Sequence, residues 1–134
     1  MHYLYTDGGS RNNTYAACAW IITDDANSIL HSNSTYLGAC SNNVSEYTAL
    51  ILGLTSALAG GITSLIVYQD SELVSRQMTG QYQVKAPHLK PLYDTAQHLA
   101  HKFEHIEFKS VPREHAFISA CDKLCDSVID QYKK

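Results

Sequence analysis

Apolar and polar positions alternate with a period of two over His2–Asp7, and a longer apolar run, Tyr15–Thr23 (YAACAWIIT), follows a polar interval. Both patterns predict strands, because a period of two sends alternate side chains to opposite faces of a sheet. Asn27–Leu37 (NSILHSNSTYL) is more polar, as expected of a strand near a sheet edge. The GGSRNN between the first two strands has the Gly and Asn content of a turn with positive φ angles. From Asn43 the period lengthens. Val44, Tyr47, Ile51, Leu54 and Leu58 recur every three or four residues, which predicts an amphipathic helix stopped by Gly60-Gly61. Ser64–Gln69 (SLIVYQ) is a short continuous apolar run, the pattern of a strand covered on both faces. A short helix is predicted over Ser71–Met78, ending near Gly80, and GQYQVKAPHLKP reads as a loop carrying two Lys and two Pro. A helix over Lys90–His101, a strand over Phe103–Val111 and a helix over Ile118–Tyr132 complete the chain.

The order β-β-β-α-β-α-α-β-α predicts an α/β fold. Three strands joined by short turns make an antiparallel meander, and later strands arrive through helices. A right-handed helical crossover makes the strand at 64–69 parallel to a strand of the meander. A mixed sheet with helices on its faces results. With 134 residues, 45% of them hydrophobic and 17% charged, a single domain over 1–134 has enough apolar material for a core, which excludes wholesale disorder. The formal charge of −3 argues against a protein that holds nucleic acid by bulk charge, so any such contact needs a local patch or metal ions. No apolar run has the length of a membrane span, and MHYLYTDGGS lacks a basic start followed by an apolar stretch. A cytoplasmic protein without a membrane partner is expected. Cys18, Cys40, Cys121 and Cys125 form no CxxC pair and are expected as reduced thiols packed like small apolar groups. His101 and His105 are four apart, but no second ligand pair follows at a zinc-like spacing.

The acids carry the chemistry. Asp7 ends the first predicted strand and Asp70 follows LIVYQ, so parallel neighbours would present both carboxylates at one sheet edge, where open α/β sheets place their sites. Glu46 falls in the first turn of the long helix and Asp122 near the start of the last. Taken singly, each has a structural explanation. Asp7 precedes Gly8-Gly9 as a turn aspartate would, Asn43-x-x-Glu46 matches a capping box, Asp70 could cap the next helix, and Asp122 could be a solvated helix acid. Joint placement changes the balance. Two carboxylates about 4 Å apart repel by roughly 4 kcal/mol at an effective dielectric near 20. A cluster of them needs a cation, and all-oxygen donors favour Mg²⁺ or Mn²⁺ over zinc. Two such ions clamp the attacking and leaving oxygens of a phosphoryl displacement.

TDGGSRNN at 6–13, SNNVSE at 41–46, YQDSELV at 68–74 and CDKLCD at 121–126 resemble the type 1 ribonuclease H family, and residues 70–93 resemble its short archaeal and bacterial branch. The resemblance implies a five-stranded mixed sheet flanked by helices on both faces. It also implies two-metal, Mg²⁺- or Mn²⁺-dependent cleavage of the RNA strand of an RNA/DNA hybrid to 5′-phosphate and 3′-hydroxyl ends, by a chain expected to act as a monomer. Carried over, Asp7 bridges both ions, Glu46 and Asp70 hold the ion on the leaving-group side, and Asp122 completes the ion that activates water. Asn13, Asn42 and Asn43 match positions that contact the nucleic-acid backbone, and Ser41 sits at the place of a phosphate-binding hydroxyl. Backbone groups of Gly8, Gly9 and Ser10 are expected against RNA 2′-hydroxyls.

The chain departs from the family where PREHAFISACD runs two residues longer than the usual ending and lacks its Asn. Asp126 therefore competes with Asp122 as fourth ligand, and Asp122 is preferred because CDKLCD reads as the family's acid followed by an apolar helix face. His115, in a predicted loop seven residues before Asp122, stands either for the mobile histidine of some relatives or for an exposed loop residue. No large basic segment follows Asp70, so Arg76, Lys85, Lys90 and Lys109 are the expected substrate grips, and weak hybrid affinity with a shallow salt dependence follows. Two further functions share this sequence pattern: a non-catalytic nucleic-acid-binding module of the same fold, and a broader nuclease that also cuts double-stranded RNA.

Overall fold

A computed structural model describes residues 1–133. β1 (His2–Arg11), β2 (Tyr15–Thr23) and β3 (Ile29–Gly38) form the antiparallel meander, and α1 (Asn42–Ala59) carries the chain to β4 (Ser64–Gln69), which lies parallel to β1. α2 (Glu72–Met78) and α3 (Lys90–Ala100) lead to β5 (His105–Ser110), parallel to β4, and α4 (Ala116–Tyr132) follows. The spatial order β3-β2-β1-β4-β5 puts β1 in the centre and the polar β3 at an edge, as its composition predicts. Among the described residues no helix is long and apolar enough to cross a membrane.

Strand alternation separates two cores. Leu4, Cys18, Trp20 and Ile22 face α1 and α3 with Leu50, Leu54, Leu65 and Val67, whereas Tyr5, Ala17, Ala19 and Ile21 face α4 with Ile118, Cys121, Cys125 and Ile129. Helices thus cover both faces. The four cysteines are free, three of them buried, in keeping with thiols used as small apolar groups. Burial pushes the Cys18 thiol up to about 12.

Several local expectations change. β1 does not stop at Asp7 but runs on to Arg11, with Gly8, Gly9 and Ser10 opposite Cys18, Ala17 and Ala16. The turn is confined to residues 12–14, with Asn12 and Asn13 both left-handed at φ of 55° and 58°, a conformation that Asn tolerates better than most side chains. Gly8 serves a close approach instead of a turn: a Cβ there would sit 2.3 Å from the carbonyl carbon of Ser45 in α1. The N-cap of α1 is Ser41, whose Oγ accepts from the Val44 N–H, and not Asn43. In the same way Ser71, and not Asp70, caps α2. α4 begins at Ala116, two residues earlier than its apolar pattern suggests, because His115 caps it through Nδ1. β4 is buried only on alternate residues, with Ile66 and Tyr68 half-exposed, since α4 packs over β1, β2 and β3.

Replacing Gly8 by Ala forces α1 away from β1. We expect Gly8→Ala to lose about 2–3 kcal/mol in chemical denaturation, the scale of an overpacked core, while Gly9→Ala, with nothing within 4 Å of the added carbon, stays close to wild type.

Candidate metal centre

The parallel ladder between β1 and β4 ends at the pair Thr6–Gln69, so Asp7 and Asp70 are the next residue on each strand and emerge together at their carboxyl ends. Glu46 reaches the same point from α1, which the missing side chain of Gly8 allows to lie against β1. One carboxylate oxygen from each of Asp7, Glu46 and Asp70 lies within 4.8 Å of the others. Asp7 and Glu46 are buried and Asp70 is half-buried. Glu46 is no capping residue: its Oε1 accepts from the Gly8 N–H at 2.7 Å, and its Oε2 is buried with no hydrogen-bond partner.

Electrostatics follow from this crowding. Burial, then the charge of Asp70, raises the Asp7 pKa from 3.8 to about 7. Burial, then Asp7 and Asp70, drives Glu46 well above the usual carboxylate range. Asp70 is raised by burial too, against the opposing charge of Arg113. Three oxygen donors with elevated proton affinity, one of them an orphaned buried oxygen, fit a hard divalent cation. Among the described residues no histidine or thiolate joins them, which disfavours zinc.

Around the triad opens a cleft of about 440 Å³ that contains most of the predicted residues. Asp122 lines it from α4, half-buried, with Oδ1 3.7 Å from Nη2 of Arg113. Asp122 lies outside the group of three that meets within 4.8 Å, yet its charge adds to the shifts of Asp7 and Asp70. Its rival Asp126 also lines the cleft but accepts from Nη2 of Arg11 at 3.0 Å. Gly8, Gly9 and Ser10 form one wall, and Asn42 and Asn43 another. Asn42 Oδ1 accepts from the Ser10 N–H at 2.8 Å, and Ser10 Oγ donates to the Cys40 carbonyl at 2.6 Å. From beneath, the thiols of Cys121 and Cys125 donate to the carbonyls of Tyr5 and Asp7, each at 3.6 Å.

Three predicted residues stand off the cleft wall. Ser41 is the α1 cap, Asn13 is at the exposed turn tip, and His115 closes the β5–α4 loop, as expected, as the N-cap of α4. The imidazole of His115 is half-buried, stacked on Tyr5 with ring centroids 5.2 Å apart. The expected basic grips are also elsewhere: Arg76 lies over the Tyr82 ring, Lys90 pairs with Asp94, and Lys109 approaches Glu107. The bases that line the cleft are Arg11 and Arg113, which charge counting passed over. Both lie inside segments that carry the family pattern, Arg11 in TDGGSRNN and Arg113 in PREHAFISACD, so their position beside the acids was the available signal.

A family model described as reverse transcriptase-like matches residues 5–126. The chain is 41% identical over 131 residues to the bifunctional protein Rv2228c of Mycobacterium tuberculosis, covering 95% of this chain and 35% of that protein. It is 31% identical over 129 residues to ribonuclease HI of Halobacterium salinarum, covering 96% of this chain and 64% of the relative. The chain thus spans about a third of the mycobacterial relatives it matches. Among solved structures, LC11-RNase H1 in complex with an RNA/DNA hybrid matches all of both chains with a TM-score of 0.92 and 35% identity.

The raised Asp7 pKa sets a sign for stability. The native carboxyl keeps a proton that the unfolded chain, titrating near 3.8, has already lost, so metal-free protein loses stability as pH rises from about 4 through about 7. Urea denaturation across this range should show a loss on the order of 2–4 kcal/mol. Asp7→Asn should flatten the profile, and millimolar Mg²⁺ or Mn²⁺ should restore stability at the alkaline end of the wild type.

Proposed function

Since this chain belongs to the type 1 ribonuclease H family, we propose that it is a divalent-metal-dependent endoribonuclease that hydrolyses the RNA strand of RNA/DNA hybrids, leaving 5′-phosphate and 3′-hydroxyl ends. The observation that carries this reading is the buried carboxylate triad of Asp7, Glu46 and Asp70, with its unpartnered Glu46 oxygen, at the floor of an open cleft. Asp7, Glu46, Asp70 and Asp122 would hold two ions, Mg²⁺ or Mn²⁺. When bound, these supply positive charge to the attacking and leaving oxygens of an in-line displacement. Asp7 would be the ligand common to both, since its carboxylate meets those of Glu46 and Asp70 in a cleft that Asp122 also lines. Asp122 is favoured over Asp126 as the fourth acid, since the charge of Asp122, and not that of Asp126, acts on the carboxyls of Asp7 and Asp70.

The cleft walls supply substrate recognition. The Ser10 N–H engages Asn42 Oδ1, which leaves the Asn42 amide NH₂ as a donor for a backbone phosphate, beside Asn43. Gly9 presents bare backbone, with open space where a side chain would be. A ribose 2′-hydroxyl can approach such a surface closely, and this group separates RNA from DNA in a wide, shallow minor groove. Contacts of this kind read shape and sugar, so sequence preference is weak. His115 serves α4 capping and aromatic stacking, and its proposed part in proton transfer requires it to leave the stack on Tyr5.

Labelled RNA/DNA, RNA/RNA and DNA/DNA duplexes incubated with Mg²⁺ or Mn²⁺ test the assignment. The RNA strand of the hybrid should be cut to 3′-hydroxyl ends that a polymerase can extend. Asp7→Asn should slow cleavage by roughly 10³-fold, the equivalent of about 4 kcal/mol of lost charge stabilisation. Wild-type protein that binds hybrid but leaves it intact would instead be a binding module. Equal cutting of RNA/RNA would widen the substrate class.

A further inference from the structure

The acids of α4 form a stripe. Asp122, Asp126 and Asp130 are spaced four residues apart, on one face of the helix beside the cleft. Each arginine that lines the cleft is paired with this stripe: Arg113 with Asp122 at 3.7 Å, and Arg11 with both Asp126 at 3.0 Å and Asp130 at 2.9 Å. Arg11 follows Ser10 at the end of β1, so it stands at the outer end of the wall formed by Gly8–Ser10 and Asn42. Its side chain is about one-third exposed, and its two partners are exposed by 54% and 67%.

Ion pairs this open to water are weak and exchange readily. A phosphodiester offers the guanidinium two oxygens, so a single phosphate can replace both one-bond partners without loss of hydrogen bonds. We propose that Arg11 is a substrate grip held in reserve, and that a backbone phosphate of the hybrid displaces Asp126 and Asp130 from it. The acids then act as built-in competitors that lower affinity for nucleic acid. This inference rests on the hybrid-directed function above and assigns a binding and affinity role to a basic residue that the net charge conceals.

Binding to a hybrid duplex in Mg²⁺, measured in the cleavage-deficient Asp7→Asn protein as a function of salt, tests it. Relative to that parent, in which the displaced carboxylates recapture cations and offset the counterions released, Asp126→Asn/Asp130→Asn should bind about 3- to 10-fold tighter at low salt, with the log–log salt slope steeper by about 0.9, the full increment for one phosphate contact. Adding Arg11→Gln should remove the increment, whereas Arg11→Gln alone should change the parent slope by much less. That non-additivity separates a specific contact from a general reduction of negative charge. An unchanged slope in the Asn pair, or a gain that survives Arg11→Gln, overturns the Arg11 assignment and leaves the functional reading intact. A parent that fails to bind hybrid at all overturns both.

Discussion

Carboxylates held within 4.8 Å of one another, two of them buried, repel strongly unless protons or cations intervene. The rest of the molecule is arranged around tolerating that repulsion. Central β1 and its parallel neighbour β4 stop pairing at Thr6 and Gln69, which delivers two of the acids side by side. Burial then raises their proton affinity, so the same site that destabilises the ionised fold is poised to take up metal. Stability and cation binding are two aspects of one charge imbalance.

Backbone proximity makes the third acid possible. α1 lies so close to β1 that only glycine fits at position 8, and this contact sets Glu46 over the strand with one oxygen tied to the Gly8 N–H. The other oxygen is left without a partner in a buried position, a costly state for any polar atom. A bound cation would resolve it. The capping work that Glu46 might have done passes to Ser41, which frees the carboxylate for the site.

Local charge, and not the net −3, governs what the cleft offers to a phosphate backbone. Arg11 and Arg113 are both present in its walls, and both are partly neutralised by the acidic stripe of α4. On the function proposed, an open cleft of balanced charge would meet a duplex through short donors such as Asn42 and through bare backbone at Gly9, so that shape and 2′-hydroxyls count for more than electrostatic pull.

Element order, the edge position of β3, a β4 parallel to one strand of the meander and the gathering of residues 7, 46 and 70 were legible in the residues, whereas the ladder identified β1 as that strand. Periodicity reports which side chains must be buried, and crossover handedness leaves few ways to bury them. Family membership was legible through four short motifs in order. Their wider context was not, for reasons of distance. That position 8 must lack a side chain depends on the close approach of Ser45, 37 positions along the chain. That Asp126 is bound to Arg11, and that His115 is stacked on Tyr5, depends on how α4 settles on the sheet. Sequence by itself determined which acids meet, because strand ends and helix starts are local events. Tertiary packing decided which neighbours restrain them, because those contacts join residues more than 100 positions apart.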